Sequence, residues 1–240
     1  MPTDKTNAER FLAAYNNIDY SLKTRYNFNR SMGFSDLIRR TVVLNYVVRK
    51  NEEALIDYGR LRNAIVHNND EYVIAEPHDE VVKDIERIEK LITAPPQALD
   101  YVRRDVLIVD ANKTMQEVII LMANSKYSNI PVYKKGDLIG IANGQKILES
   151  FGQFLIAGGK ADVFLKNVKI EDMLSKIENS NYYTIAPADL SIEKALDTFH
   201  SNSKMLAVLI TKNGTATEMP LGIVTRFDAM EMNKVLDDYS

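Results

Sequence analysis

The chain has 240 residues, of which 45% are hydrophobic and 26% are charged, as in an ordinary globular protein. Its formal net charge is −3, so the chain as a whole does not attract nucleic acid electrostatically. The absence of cysteine excludes disulfides and thiolate metal sites. No apolar run is long enough to span a membrane, and the N-terminus lacks the apolar core of a signal peptide. These features predict a cytoplasmic protein with no membrane partner.

Apolar residues recur at helical spacing through most of residues 1–92, and no stretch there alternates as a half-buried strand does. We expect Ser35 to cap one helix, and a further helix to begin near Asn51 and to stop at residues 68–69. Pro77 suits the first turn of the next helix, since proline there loses no intrahelical hydrogen bond. The sequence therefore predicts an all-α bundle over residues 1–92.

The segment Ala94-Pro95-Pro96 ends this pattern, because proline cannot continue a helix. Short β-like runs and helical runs follow, which predicts an α+β region from residue 93 onward. The runs expected to be strands are Val106–Val109, Ile130–Tyr133, Leu138–Ile141, Tyr183–Ile185, Leu206–Ile210 and Leu221–Val224. The runs expected to be helices between them are Met115–Met122 and Ile192–Phe199.

These runs form an internal repeat. Ala111 matches Ala188 at an offset of 77 residues, and Gly140 matches Gly222 at an offset of 82, the second unit having the longer loop. Each unit has the order βαββα, and a repeated order is a stronger signal than any single element. We place the first unit at residues 93–160 and the second at residues 161–240.

Two motifs in the repeat resemble the CBS family. Residues Ser128–Val132 and Gly136–Ile141 resemble its x-x-x-P-V … G-x-L-x-G-I core, and Val168–Leu174 resembles its lead-in helical turn. Residues Gly222–Asp228 resemble its G-I-x-T-x-x-D nucleotide signature. The resemblance implies a tandem CBS pair, a sensor module that binds an adenine nucleotide: AMP, ADP, ATP or a cyclic dinucleotide.

The chemistry of the signature suits a nucleotide. Thr225 is expected where a strand ends and a helix begins, and a helix N-terminus presents unpaired N–H groups that favour phosphate. Arg226 adds a positive charge, and the carboxylate of Asp228 can accept both hydroxyls of a ribose. The alternative is purely structural: Thr225 caps the helix, and Asp228 interacts favourably with the helix dipole.

The resemblance also implies where the adenine lies. It would lie between the first strand of the second unit and the backbone that precedes the next strand. The residues implied for this contact are Tyr183, Thr184 and Ile185 on one side and Met205, Leu206 and Ala207 on the other.

The first unit departs from the signature. Asn143 stands at the position of Thr225, and Lys146 stands at the position of Asp228. A lysine cannot accept hydrogen bonds from a ribose, so we predict one nucleotide site and not two. No histidine has a second ligand at a metal-site spacing, and we predict no metal site.

The segment Leu61–Asn68 resembles the R-x-x-x-x-H signature of HEPN domains, which are helical bundles that often dimerise. Some members are metal-independent ribonucleases, which would give Arg62 the role of stabilising charge on phosphate and His67 a role in proton transfer. Asn63 shares a helix face with His67, whereas Arg62 lies about 140° away, so catalysis would need a second protomer or an unwound helix end. A capping or dimer-packing role for this pair remains open.

The sequence thus favours a homodimeric regulatory protein with an HEPN-like helical bundle and a nucleotide-binding CBS pair. The helical bundle would dock a protein or RNA partner. The alternative is a nucleotide-gated, metal-independent endoribonuclease that uses Arg62, Asn63 and His67.

Overall fold

The computed structural model describes residues 5–66, 75–175 and 182–239. Helices make up the first part of the chain, and two small sheets with further helices follow. The helices before the prolines are α1 (Asn7–Arg25), α2 (Phe34–Thr41), α3 (Tyr46–Lys50), α4 (Glu52–Val66) and α5 (Asp79–Thr93). The predicted order, an all-helical region followed by an α+β region, is confirmed.

The region after residue 97 contains six strands and six helices in the described residues. The strands are β1 (Val109–Asp110), β2 (Asn129–Lys134), β3 (Asp137–Asn143), β4 (Tyr183–Ala186), β5 (Ala207–Ile210) and β6 (Gly222–Thr225). The helices are α6 (Met115–Ser125), α7 (Gly144–Ile156), α8 (Ala161–Asn167), α9 (Ile170–Leu174), α10 (Ile192–Ser201) and α11 (Arg226–Asp238). A short 3-10 turn, Ala98–Asp100, precedes them.

The two sheets share one topology. Their strand orders are β1-β2-β3 and β4-β5-β6, and in each the first pair is parallel and the second antiparallel. A parallel pair needs a crossover connection, which α6 and α10 provide. The order βαββα therefore occurs twice, as the internal repeat predicts.

Contacts divide the chain into two units. The helical unit contains Met1–Pro96, Ser191–Asp197 and Glu231–Ser240, and the sheet unit contains Gln97–Leu190 and Thr198–Met230. Helices α10 and α11 each contribute residues to both units. The predicted boundary near residue 93 divides the sequence into continuous parts and so does not describe these two shared helices.

The core of the helical unit lies between α1 and α5. Phe11, Ile18 and Leu22 of α1 are fully buried, as are Ile85 and Ile88 of α5. Their three- and four-residue spacing gives each helix one apolar face, and burial of these faces stabilises the pair.

Two of the predicted helix starts are wrong. The N-cap of α2 is Gly33, and Ser35 is the second helical residue, because Phe34 already packs its ring on Tyr15 at 4.2 Å between centroids. Helix α5 begins at Asp79 after the N-cap His78, so Pro77 lies outside the helix. The predicted helix stop at residues 68–69 lies outside the described residues.

The sheet unit has two hydrophobic clusters. One lies around the first sheet and includes Met115 and Val118 of α6 and Phe164 of α8. The other joins the sheets, since Ile141 of β3 and Leu209 of β5 belong to the same buried cluster. Within the described ranges, no helix has the length and apolar character needed to cross a membrane.

A buried carboxylate, Glu193, organises polar contacts in the helical unit. It is 3% exposed and accepts hydrogen bonds from the Asn45 amide and, at 3.1 Å, from the Arg25 guanidinium. Asn45 is itself fully buried, and its Oδ1 accepts from the Val48 N–H at the start of α3. Burial raises the pKa of Glu193, while the positive charge of Arg25 opposes that shift.

We expect Glu193→Ala to lower the free energy of unfolding by about 2–4 kcal/mol, since it removes a buried carboxylate that accepts from both Asn45 and Arg25. Urea unfolding followed by circular dichroism measures this loss. The control is Asp57→Ala, which removes an exposed carboxylate that pairs with exposed Arg60 and should cost less than about 0.5 kcal/mol. Equal losses in the two variants would contradict a structural role for Glu193.

Candidate functional site

The sheet unit contains a cavity of about 420 Å³ at the start of α11. Both repeats contribute to its wall: the second supplies the junction between β6 and α11, and the first supplies two short segments. The lining residues are Arg103, Asp105, Val106, Leu107, Lys126, Tyr127, Ser128, Asn129, Ile223, Thr225, Phe227 and Asp228.

Thr225 and Asp228 are joined by two hydrogen bonds. The Thr225 N–H and hydroxyl both donate to Oδ2 of Asp228, at 2.8 and 2.6 Å. This is the contact by which an acidic residue at the third helical position closes a helix start. The structural role considered for the pair is therefore present. In the described part of the chain no group donates a hydrogen bond to Oδ1 of Asp228, so that oxygen keeps its capacity to accept one, and Asp228 is among the residues that line the cavity.

The cavity combines both signs of charge with apolar walls. Arg103 and Lys126 are basic, and Asp105 and Asp228 are acidic. The Arg103 guanidinium lies over the ring of Tyr127, 5.5 Å from its centroid, which orients the cation. Lys126 caps the end of α6 in the left-handed conformation, with φ of 61°. The apolar part of the wall is formed by Val106, Leu107, Ile223 and Phe227.

A glycine allows the first repeat to reach this position. A Cβ at Gly222 would lie 2.8 Å from Leu99 Cδ1 and 3.0 Å from Val102 Cγ2. Only a residue without a side chain lets the segment before Arg103 pack on β6 so closely. The equivalent Gly140 of β3 is similarly covered, since its Cβ would lie 3.1 Å from Leu174 Cδ1.

The structure uses Arg226 differently from the sequence expectation. Its guanidinium donates to the backbone carbonyls of Met205, at 3.1 Å, and of Ser203. Arg226 is not among the cavity-lining residues. Its charge therefore ties the start of α11 to the loop that precedes β5.

The six residues expected to contact adenine lie elsewhere in the sheet unit. Tyr183 pairs with Ala207 and Thr184 with Val208 in the parallel pair of β4 and β5, and the Leu206 N–H donates to the Tyr182 carbonyl. None of the predicted residues Tyr183, Thr184, Ile185, Met205, Leu206 and Ala207 lines the cavity that contains Thr225 and Asp228.

The repeat offset explains which residues stand in their place. At 77 residues, Tyr183 corresponds to Val106 and Thr184 to Leu107, which do line the cavity. The signature of the second repeat thus faces the first-strand segment of the first repeat. This crossing depends on how the two sheets pack, and the periodicity that reveals the repeat carries no such information. Strand β1 begins only at Val109, later than expected, which leaves Val106 and Leu107 outside the sheet ladder.

At the equivalent position of the first repeat, Lys146 makes two side-chain contacts. The Lys146 ammonium lies 4.9 Å from the centroid of the Tyr182 ring, and it also pairs with Glu149 at 2.9 Å. The hydrogen bond to Glu149 is the largest cause that raises the pKa of Lys146, and the hydrogen bond to the Tyr182 hydroxyl is the next largest. Asn143 caps α7 by accepting from the Lys146 N–H at 3.0 Å. By the same offset, Tyr182 corresponds to Asp105. Lysine and tyrosine therefore stand at the two positions where the other cavity has the carboxylates of Asp228 and Asp105.

In the helical unit, Arg62 and Asn63 lie at the end of α4. The Arg62 guanidinium is 6.0 Å from the centroid of the Tyr15 ring and donates to Oδ1 of Asn63 at 3.4 Å. Burial raises the pKa of Tyr15 to about 12, and the charge of Arg62 opposes this shift. His67 lies outside the described residues, so the predicted Arg62–His67 pair stays a prediction.

Part of the first repeat is similar to a known family.

Residues 98–152 match the family model of the CBS domain.

Three similar solved structures also contain CBS domains. One is the CBS domain of a bacterial CNNM/CorC family Mg²⁺ transporter in complex with ATP. It is 16% identical to this chain, the match covers 62% of this chain and 96% of that chain, and the TM-score is 0.45. A CBS-domain protein from Agrobacterium tumefaciens is 17% identical, with coverages of 57% and 90% and a TM-score of 0.43. CBSX2 in complex with AMP is 14% identical, with coverages of 59% and 98% and a TM-score of 0.44. No curated protein matches the chain.

The cap contact at Asp228 has a consequence for stability. We expect Asp228→Ala to lower the free energy of unfolding by about 1 kcal/mol, because the start of α11 loses its carboxylate acceptor. Urea unfolding measures the change. Glu117→Ala is the matched control, since Glu117 closes α6 by the same contact with Thr114 and does not line the cavity. A variant Asp228→Ala that is as stable as the wild type would contradict the capping role.

Proposed function

We propose that the cavity at the start of α11 binds an adenine nucleotide and that the protein is a regulator controlled by that nucleotide. The observation that carries this proposal is the convergence of Thr225 and Asp228 with the segment Arg103–Asn129 around one cavity. That segment lies inside the part of the chain that matches the CBS domain. In this proposal the second repeat completes a tandem CBS pair.

Each part of a nucleotide has a complementary group in the wall. Asp228 Oδ1 would accept hydrogen bonds from the ribose hydroxyls, while Oδ2 keeps its bonds to Thr225. The N–H groups at the start of α11, with Arg103 and Lys126, would attract phosphate. Val106, Leu107 and Ile223 offer an apolar surface to the base. A volume of about 420 Å³ falls within the range of small-molecule sites.

The charge balance supports one site per chain. At the equivalent position of the first repeat, the Lys146 ammonium would meet the ribose hydroxyls, to which it cannot act as an acceptor. The ligand is one of AMP, ADP, ATP or a cyclic dinucleotide.

The helical unit is proposed as the output of this regulator. By its resemblance to HEPN domains, it would form a homodimer in the cytoplasm and dock a protein or RNA partner. Nucleotide can change that activity only through different affinities for two arrangements of the protein.

Isothermal titration with AMP, ADP, ATP and cyclic di-AMP tests the site. We expect at least one to bind at one molecule per chain, and Asp228→Ala to weaken that binding at least about tenfold, as loss of a charged acceptor does. Lys146→Ala should bind as the wild type does. Glu117→Ala has lost a helix cap but no cavity residue, and should also bind normally. Failure of all four ligands to bind, or unchanged affinity in Asp228→Ala, would reject the proposed site.

The alternative function is RNA cleavage by Arg62, Asn63 and His67, whose only structural support is that Arg62 and Asn63 lie together on α4. We expect no such cleavage, because the Arg62 guanidinium lies over the Tyr15 ring, 6.0 Å from its centroid, and because a regular helix would separate positions 62 and 67 by about 140°.

Labelled RNA is incubated with the protein in EDTA, with and without the nucleotides, and analysed on a gel. Two variants accompany the wild type: His67→Ala, and Arg60→Ala as a control for loss of positive charge on the same helix. Cleavage that His67→Ala abolishes and Arg60→Ala retains would establish the enzyme and refute our expectation.

A further inference from the structure

The last turns of α11 hold helix α3 through side-chain contacts in the helical unit. Asn233 accepts hydrogen bonds at Oδ1 from the Tyr46 hydroxyl, at 2.9 Å, and from the Lys50 ammonium, at 2.8 Å. Lys50 also pairs with Asp237 at 2.8 Å and donates to the Asn233 carbonyl. Both ends of α3 are therefore attached to the same face of α11.

The same part of α11 is anchored by α5 and by burial. Arg87 donates to the carbonyl of Leu236 at 2.8 Å and to Oδ1 of Asn51, the residue that follows α3, at 3.1 Å. Met232 and Leu236 are each 1% exposed. Arg87 thus joins the end of α11 to the end of α3, and a displacement of α11 would disturb both of these hydrogen bonds.

Helix α3 depends on these partners. It has five residues, and so short a helix is not stable by itself, since helix formation has a costly nucleus. Its start is held by α10: Asp197 accepts from the Tyr46 N–H at 3.2 Å and from Arg49, and Glu193 holds the capping residue Asn45. Val47 and Val48 of α3 are buried, so the helix is held by packing and by these side-chain contacts more than by its own few backbone hydrogen bonds. The exchange of its backbone N–H groups therefore reports on those contacts.

Helix α11 also begins at the cavity. Asp228, in its first turn, lines the cavity, and Asn233 and Asp237 lie one and two turns further along the same helix. We propose that α3 is the relay by which the helical unit senses the nucleotide: ligand at the first turn of α11 alters the contacts of Asn233 and Asp237 with α3. This inference rests on the proposed function and names how that site is read.

The direction of the effect follows from the contacts. A nucleotide bound to Asp228 and to the first N–H groups of α11 holds the start of that helix closed, so the helix frays less. Asn233 and Asp237 then present fixed partners to Tyr46 and Lys50, and α3 opens less often. The backbone hydrogen bonds that report this are Arg49 N–H to Asn45 and Asn51 N–H to Val47.

Hydrogen–deuterium exchange of the full chain, read by mass spectrometry, tests the relay. AMP, ADP, ATP and cyclic di-AMP are added separately at saturating concentration, with calorimetry on the same sample. We expect the bound nucleotide to slow exchange in residues 46–51 about fivefold or more, the low end of couplings between sites. In Asn233→Ala the nucleotide should still bind, and the slowing at residues 46–51 should disappear.

Two further variants complete the design. Lys50→Met removes the same contacts from the side of α3, so the test does not depend on one variant folding. Lys234→Ala is the matched control on α11, because Lys234 is exposed and pairs with Glu231 of its own helix, and it should respond as the wild type does.

The outcomes separate the relay from the site. If calorimetry shows binding but exchange in residues 46–51 is unchanged or faster, the relay is wrong and the nucleotide site stands. The same conclusion follows if Asn233→Ala and Lys50→Met respond to nucleotide as Lys234→Ala does. If no nucleotide binds, the proposed function fails and the relay fails with it.

Discussion

The interaction on which the rest depends is the pair of hydrogen bonds from Thr225 to Asp228. They close the first turn of α11 directly after β6, so the last strand of the second sheet passes into a helix without a loop. The position of that helix start depends in turn on Gly222, because a side chain there would meet Leu99 and Val102. Strand, helix and the lead-in segment of the first repeat are therefore fixed by one short stretch of chain.

The structural and functional readings of Asp228 are compatible because a carboxylate has two oxygens. Oδ2 accepts both hydrogen bonds from Thr225, and Oδ1 has no hydrogen-bond donor among the described residues. A ligand that bonds to Oδ1 therefore displaces no existing hydrogen bond. The same contact also orients the carboxylate before a ligand arrives, which reduces the conformational entropy lost on binding.

How much could be predicted from the sequence differs between the levels of structure. The βαββα order follows from apolar periodicity and from the internal match, both of which are local properties. Thr225 and Asp228 could be recognised because their motif is contiguous. Val106 and Leu107 could not, since they line the cavity only because the second repeat packs its signature against the first. That pairing is a property of the two sheets together.

The misplaced helix starts have a related cause. Ser35 is a good capping residue, but Phe34 already lies within α2 and packs its ring on Tyr15, so the helix begins before the cap that Ser35 could have provided. Pro77 is favourable in a first turn, yet Asp79 and Glu80 place negative charge where the helix dipole favours it, and the helix begins there. In both cases packing or charge near the helix start outweighs the local preference of the predicted residue, Ser35 or Pro77, for that position.

The two repeats have diverged at one pair of positions with opposite chemistry. In one, Asp228 faces an open cavity. In the other, Lys146 stands on the Tyr182 ring and pairs with Glu149. A lysine at the position of Asp228 would bring a third cation to that cavity and remove one of its carboxylates, while an aspartate at 146 would lose the ring contact and lie close to Glu149. Aspartate therefore suits the surroundings of position 228, and lysine suits those of position 146. Two repeats with the same strand order thus carry different side chains at this position: an aspartate that lines a cavity in one, and a lysine that contacts a ring and a carboxylate in the other. The shared backbone does not determine that difference.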